Sequence, residues 1–311
     1  MNLAPIVLFV YNRPGHTRQT VEALLKNKLA EESSLIIFSD APKNPEAVEA
    51  VCEVREYIRT IRGFKTVTII ERDRNWGLAN SVIDGVTSVV NKYGRIIVLE
   101  DDLVTSPYFL SYMNAALETY RDEGKVMHIS GYMFPIDNAN IPETFFLRTT
   151  SCWGWATWDR AWLHFTKNPE KIFKEYTVQT IQRFNMDGAN NFWAQVEQNL
   201  KGEINTWAVF WYATVFQQGG LCLHPAISMV NNIGHDDTGT HCGTSEAFSV
   251  QLANKPITYF EHDLIESINA HTRTKKFFRT INTSITGTSI LRRTIAAIKR
   301  RVTLSKLRVF R

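Results

Sequence analysis

Apolar runs and polar breaks alternate through the first hundred residues. Residues 5–10, Pro-Ile-Val-Leu-Phe-Val, form a short continuous apolar run that Tyr11-Asn12-Arg13-Pro14-Gly15 breaks. From about residue 17, Val21, Leu24, Leu25 and Leu29 recur at helical spacing. A second run at 35–38 ends in Ser39-Asp40-Ala41-Pro42, and residues 46–61 read as a helix with Val48, Val51, Cys52 and Tyr57 or Ile58 inward. A third run at 66–70 leads into Glu71-Arg72-Asp73-Arg74-Asn75-Trp76-Gly77-Leu78. A helix over about 79–92 then delivers the chain to the fourth run at 96–99. Apolar runs without alternation are those of strands buried on both faces. Their regular exchange with helices predicts an α/β fold, a doubly wound and mostly parallel sheet flanked by helices.

Beyond Leu103 the alternation is lost. The pattern predicts a helix over 107–120 and strands over 126–130 and 225–230. Two stretches are crowded with aromatics. One holds Trp153, Trp155, Trp158 and Trp162; the other holds Phe192, Trp193, Trp207, Phe210, Trp211 and Tyr212. The second has the spacing of a helical core. Trp153-Gly154-Trp155 differs, because a glycine between two tryptophans suggests a bend that presents a flat apolar face to sugar rings.

The fourth run enters three consecutive carboxylates, Glu100, Asp101 and Asp102. Isolated buried charges cost several kcal/mol each, so these acids must reach a metal ion, a cationic partner or solvent. In open α/β sheets ligands lie at the carboxyl edge, where these acids fall. A hard divalent cation with room for phosphate oxygens fits them, and a solvated acidic turn is the alternative. The segment Asn231-Asn232-Ile233-Gly234-His235-Asp236-Asp237-Thr238-Gly239-Thr240-His241 is also dense in ligand-type side chains. His235 and His241 each read either as a plain surface histidine or as the histidine that completes a metal shell, and His241 is the one expected there.

Composition adds limits. The chain has 311 residues, 44% hydrophobic and 21% charged, which is ordinary for a globular protein. No apolar stretch approaches the roughly 20 residues that span a bilayer, and no basic leader precedes the first run. Cys52, Cys152, Cys222 and Cys242 are scattered without a Cys-x-x-Cys pair, so reduced, mostly buried thiols and a cytoplasmic location are expected. The net charge of +4 hides an asymmetry: no acid follows Glu266, yet 12 of the 35 basic residues do. The first 266 residues carry 23 basic and 31 acidic side chains. In the tail, Leu291, Ile295, Ile298 and Val302 share a helical face with Arg292, Arg293, Lys299, Arg300 and Arg301 on the others. That pattern predicts a basic amphipathic helix on an anionic membrane surface. The other readings are a helix packed on the body and a nonspecific nucleic-acid arm, for which no reading motif exists; no nucleic-acid partner is expected. The first turn also lacks the glycine patterns of dinucleotide and P-loop sites.

The segments 5–14, Ser39-Asp40, Asp73-Arg-Asn-Trp-Gly-Leu-Ala-Asn80 and Glu100-Asp-Asp-Leu103 together resemble the GT-A nucleotide-sugar glycosyltransferase domain of bacterial family-2-like enzymes. The Glu-Asp-Asp-Leu form and Gly154-Trp155 are similar to N-acetylglucosaminyltransferase I and its relatives. The likeness runs over roughly residues 4–245 and implies a GT-A domain over 1–265, with a nucleotide-binding half to about 103 and an acceptor half to about 265; the basic amphipathic helical tail, read from its charge, follows over 266–311. It implies that Tyr11, Asn12 and Arg13 line the nucleotide, with Asp40 near the base and Asp73, Asn75 and Asn80 over base and ribose. Glu100 and Asp101 then belong to donor binding, Asp101 on the ribose or donor sugar. Asp102 would hold Mn²⁺ or Mg²⁺ on the diphosphate, and Trp153, Gly154 and Trp155 would lie under the sugars.

The relative's Asp-Asp-Trp segment, which supplies its catalytic base, corresponds here to Asn205-Thr206-Trp207, without an acid. Glu203 is the first candidate base and Asp237 the second. The implied activity is metal-dependent transfer of a hexosyl or N-acetylhexosaminyl group, with inversion, from a nucleotide sugar (a UDP-sugar favoured) to a glycan or lipid-linked acceptor. Surface polysaccharide or glycolipid assembly at the inner face of a membrane is the expected setting. The rival readings are a non-catalytic nucleotide-sugar-binding component and a sugar-phosphate nucleotidyltransferase, whose glycine- and basic-rich first loop is missing here.

Overall fold

The computed structural model describes residues 3–236 and 246–283. The first half runs β1 (Ile6–Val10), α1 (Pro14–Leu25), β2 (Ser34–Ser39), α2 (Val48–Thr60), β3 (Thr66–Glu71), α3 (Leu78–Tyr93) and β4 (Arg95–Glu100). The second half continues with β5 (Leu103–Thr105), α4 (Phe109–Thr119), β6 (Val126–Ser130), β7 (Thr144–Leu147) and β8 (Trp155–Trp158). It then runs through α5 (Asp159–Trp162), α6 (Pro169–Glu175), α7 (Val178–Phe184), α8 (Trp193–Leu200), α9 (Ala208–Gln217), β9 (Leu221–Pro225) and β10 (Val230–Asn232).

Eight strands form one sheet in the order β3-β2-β1-β4-β8-β6-β9-β7, while β5 and β10 pair antiparallel in a small second sheet. β3, β2, β1 and β4 are mutually parallel, as is the β6–β9 pair, so parallel pairings predominate. β8 enters antiparallel between β4 and β6, and β7 closes the far edge antiparallel to β9. The α/β class expected from the sequence is the fold found.

The sheet buries both faces. Ile6, Leu8 and Val10 pack with Val21 and Leu24 of α1 and with Val54 and Ile58 of α2, while Val7 and Phe9 pack with Val82 and Val86 of α3. Each such side chain contributes roughly 1.5–3 kcal/mol when fully buried, and a one-residue slip would exchange the two faces. This fixes the register that brings the ends of β1, β2 and β4 to one edge.

Three local expectations are corrected. α2 turns Val51, Val54 and Ile58 inward; Val48, its first residue, is 46% exposed and Cys52 is exposed, off the 51–54–58 face. The strand expected over 225–230 is two strands. Pro225 has no N–H to continue the ladder of β9, and residues 226–229 bend so that β10 can leave the main sheet and join β5. The Ser228 hydroxyl closes this bend, donating to Val230 O at 2.6 Å and accepting from Met133 N–H at 3.1 Å.

Residues 268–283, expected in a separate tail, form a helix whose Ala270, Thr274 and Phe278 are buried against the body. The Phe278 ring meets Phe134 at 4.8 Å and Phe192 at 5.7 Å. The amphipathic stretch over 291–302 lies outside the described residues.

Candidate active site

β4 ends at Glu100, and Asp101-Asp102 make the turn into β5. α1 holds this turn: the Thr20 hydroxyl donates to Asp101 O at 2.8 Å and accepts from Leu103 N–H at 3.1 Å. The acids therefore have fixed backbones at the carboxyl edge. Asp101 is 5% and Asp102 8% exposed, so neither is a solvated turn residue.

Their partner is Arg13, delivered by the β1–α1 turn just before Pro14 starts the helix. Its Nη2 donates to Asp101 Oδ1 at 2.5 Å and to Asp102 Oδ2 at 2.9 Å. The Tyr11 N–H adds a longer bond to Asp101 Oδ2 at 3.3 Å. Burial pushes the Asp101 carboxyl up to about 6, against the pull of Arg13 and with the push of Asp102. Glu100 is driven up to about 8, by burial first and then by the charges of Asp102 and Asp101. Burial works against the Arg13 charge, but the two aspartates outweigh it and hold the guanidinium above its ordinary value. The three acids thus share too little positive charge for all to ionise comfortably.

A second segment closes on the same acids. β10 pairs with β5, the Ile233 N–H donates to Asp102 O at 2.9 Å, and Gly234 then lies flat against the Asp102 carboxylate. A Cβ at position 234 would overlap that carboxylate and come within 3.0 Å of Arg13 Nη1. Next along the chain, His235 stacks on Phe248 at 5.5 Å and meets Trp153 edge-on at 5.3 Å; its Nε2 is buried without a partner among the described residues. Asp236 Oδ2 lies 3.1 Å from His16 Nε2.

The neighbouring part of the edge is organised by Asp40. Its carboxylate accepts from the N–H groups of Ala41, Trp76 and Gly77, each at 2.9 Å, and from Asn75 Nδ2 at 3.2 Å. Arg72 lies over the Trp76 ring at 4.0 Å and donates to Asp84 at 2.5 Å. Arg55 donates to the carbonyls of Asp40 and Arg72, tying β2 to the loop after β3. The Tyr11 hydroxyl accepts from Lys43 N–H at 3.0 Å. Asn80, in the first turn of α3, donates to Trp76 O of this loop at 2.9 Å, and Asp73 is exposed on the loop.

A family model for glycosyl transferase family 2 matches residues 6–176, which include the Tyr11–Arg13 turn, Asp40, the 72–77 loop and the acid turn, but not the 233–236 segment. The chain belongs to glycosyl transferase family 2. No curated protein matches it. Among solved structures it is similar to S. aureus TarS. One TarS structure, of residues 1–349, aligns over 73% of this chain and 59% of its own, at 9% identity and a TM-score of 0.42. Another aligns over 40% and 21%, at 11% identity and a TM-score of 0.28. The chain thus spans less than two thirds of either.

Within this family 2 chain, the expected residues fall into groups. Tyr11, Arg13, Asp101 and Asp102 meet at the acid turn, with half-buried Asn12 between Tyr11 and Arg13 in the chain and Glu100 at the end of β4. Asp40 and Asn75 meet beside them. The two oxygens of Asp40 accept four hydrogen bonds, which tie it to the 75–77 loop.

Trp153 is half-buried among Tyr132, His235 and Phe248. Trp155 is corrected: it has no exposed surface, and its ring is stacked on both His128 and Trp207, so it is core and offers nothing to a sugar. Gly154 is also buried, its carbonyl accepting from Gly131 N–H at 2.6 Å. Glu203 stands in the exposed turn after α8, where its N–H donates to Gln198 O at 2.9 Å. Asp237 and His241 lie outside the described residues.

Among the described residues no group of three His, Cys, Asp or Glu side chains could hold a metal ion. The donors at the turn fit a cation of another kind, held by one or two carboxylates and completed by substrate phosphates, as Mg²⁺ commonly is. Sequence reasoning missed the bridge from Arg13 to both aspartates, the packing of Gly234 on Asp102, and the lock that Asp40 puts on the 75–77 loop. A lone arginine after a strand carries no pattern, and the other two join residues far apart in the chain.

Proposed function

We propose that the protein transfers a glycosyl group from a nucleoside-diphosphate sugar, a UDP-sugar by preference, to a hydroxyl of a glycan or lipid-linked acceptor in surface polysaccharide or glycolipid assembly. The observation that carries this reading is the buried Asp101–Asp102 pair, held by Thr20 and Arg13 at the carboxyl end of β4 in a family 2 domain.

Each residue then has a task. Tyr11 and Asn12 line the nucleotide, and Asp101 accepts from the ribose. Asp40 acts indirectly, by fixing the 75–77 loop that borders the nucleotide. Asp102 and the diphosphate oxygens would hold Mn²⁺ or Mg²⁺, which when bound neutralises charge on the departing nucleoside diphosphate. Trp153 gives the acceptor an apolar wall beside His235.

In the transfer, the acceptor oxygen bonds to the anomeric carbon as the bond from that carbon to the diphosphate breaks, with inversion. The acceptor proton goes to a carboxylate. Asp237 takes this role ahead of Glu203, because it directly follows the 233–236 segment that lies against Asp102, whereas Glu203 sits in an exposed turn. The basic residues after Glu266 support contact with anionic membrane. No helix among the described residues is long and apolar enough to cross a membrane.

The test is a donor screen. The protein is incubated with UDP-, GDP- and dTDP-sugars, with Mn²⁺ or with EDTA, and nucleoside diphosphate is followed. Release from one donor with Mn²⁺ and none with EDTA is the expected result. Absence of both release and nucleotide binding across the panel overturns the reading.

A further inference from the structure

The Arg13 guanidinium occupies the place that a cation for the acid pair would take. One nitrogen, Nη2, bridges Asp101 Oδ1 and Asp102 Oδ2. The other, Nη1, is buried and has no hydrogen-bond partner among the described residues. It faces the Gly234 backbone, in the narrow space that a Cβ would fill. A buried guanidinium N–H without an acceptor is costly, and a guanidinium fork that turns out of this space is well matched to phosphate oxygens. A divalent cation at Asp102 would compete with the guanidinium 2.9 Å from Oδ2, because the two positive charges repel at short range.

We infer that Arg13 is a resident counter-cation that gates the metal: it holds Asp101 and Asp102 while no donor is bound, and it releases Asp102 to a divalent cation only when a diphosphate takes the guanidinium. The inference rests on the donor-binding reading of the acid pair and adds an order to it. Metal and nucleoside diphosphate bind as a coupled pair, and the cation alone binds weakly. The coupling is reciprocal, so the nucleotide raises metal affinity by the factor by which the metal raises nucleotide affinity. Arg13 acts here as a positioning residue, because it works through the state of Asp102. The device gives the two buried carboxylates a shared counter-charge in the empty site without a permanently bound ion.

The test is a Mn²⁺ titration of the full chain, with unbound Mn²⁺ read by electron paramagnetic resonance, alone and with UDP, GDP or dTDP. It is repeated for Arg13→Gln, for Arg13→Lys, and for Arg13→Gln combined with Asp102→Ala. Arg13→Gln is expected to bind Mn²⁺ alone at least about tenfold more tightly than the wild type, within the usual range of coupling between sites. The added Asp102→Ala change should abolish that gain. In the wild type, Mn²⁺ should bind at least about tenfold more tightly with the nucleoside diphosphate than without it, and Arg13→Gln should bring this ratio towards one. Arg13→Lys, which keeps the charge but lacks the planar fork that matches a phosphate, is expected between the two and serves if the glutamine variant does not fold. A folded Arg13 variant that binds Mn²⁺ alone no more tightly than the wild type overturns the gate. If the wild type still binds nucleotide with metal in that case, the donor reading stands and the gate alone falls. If no nucleotide binds the wild type under any condition, the donor reading falls and the gate falls with it.

Discussion

Asp40 Oδ2 accepts from the Gly77 backbone N–H at 2.9 Å, across a separation of 37 residues. Gly77 has a φ of 72°, a left-handed conformation that favours glycine, and the contact aims its N–H at the end of β2. The aspartate that the family likeness placed on the nucleotide base thus holds the wall of the site in shape. Three backbone donors and Asn75 converge on it, and no other carboxylate among the described hydrogen bonds of this edge is so fully engaged.

Asp40→Ala is therefore expected to leave the N–H groups of Ala41 and of Trp76 and Gly77 in the half-buried loop unpaired, at a cost of about 2 kcal/mol. Urea unfolding measures it, and nucleotide affinity should fall as the 75–77 loop loosens. A loss below about 0.5 kcal/mol, the scale of an ordinary surface substitution, contradicts the lock.

Gly234→Ala puts a methyl group into the Asp102 carboxylate and beside Arg13. Either the carboxylate or the 233–236 segment must move. The expected result is a fall in activity of at least about tenfold, because misplacing a reacting group by an ångström can cost about a hundredfold. The melting temperature should change little by comparison. Steady-state rates beside thermal melts decide it, and unchanged rates would place Gly234 outside the working site.

The two tryptophans flanking Gly154 should separate cleanly. Trp155→Ala removes a fully buried ring and is expected to cost about 3–5 kcal/mol of stability. Trp153→Ala, at a half-buried wall, should cost less and instead raise the acceptor KM while leaving the donor KM near its starting value. An acceptor KM that does not move would remove Trp153 from the acceptor site.

Two histidines mark the core by their protonation. His128 accepts from Trp211 Nε1 at its Nδ1 and faces Ser151 O with Nε2, and burial lowers it from 6.5 to about 3. Burial likewise lowers His224 to about 4. Above pH 6.5 both folded and unfolded states hold these rings neutral, so full stability is present there. As pH falls from 6.5 towards those folded values, the unfolded chain takes up protons first, and each ring removes about 1.4 kcal/mol per pH unit. Urea unfolding of the wild type and of His128→Gln at pH 6.5, 5.5 and 4.5 should give slopes that differ by about that amount per unit. Equal slopes contradict a neutral His128.

Much of the first half was legible in the sequence, for a physical reason. β1, β2 and β4 are buried on both faces, so their apolar runs are unbroken, and helices with one wet face separate them. The acids at the end of β4 could be placed at the sheet edge on the same grounds. The second half was less legible, because β8 reads Trp-Ala-Thr-Trp and is buried throughout, which gives an aromatic-rich segment no sign of which ring faces a ligand. Trp155 was misread for that reason. The helical core built on Trp193, Phe210 and Trp211 could be read, since the periodicity of a helix survives in its aromatics. Long-range polar contacts left no trace at all: nothing in Arg13 or Asp40 by itself announces the partner each one finds.

The most direct test of the central claim is the rate of nucleoside diphosphate release by Asp102→Asn beside the wild type, on the donor that the screen identifies. The substitution keeps the size of the side chain and removes its charge. A rate at least about a hundredfold lower, the scale of losing one charge-stabilising group, with a melting temperature close to the wild type, is the predicted result. A folded variant that retains its rate within a few-fold would mean that the carboxylate beside Arg13 serves the fold and not the transfer.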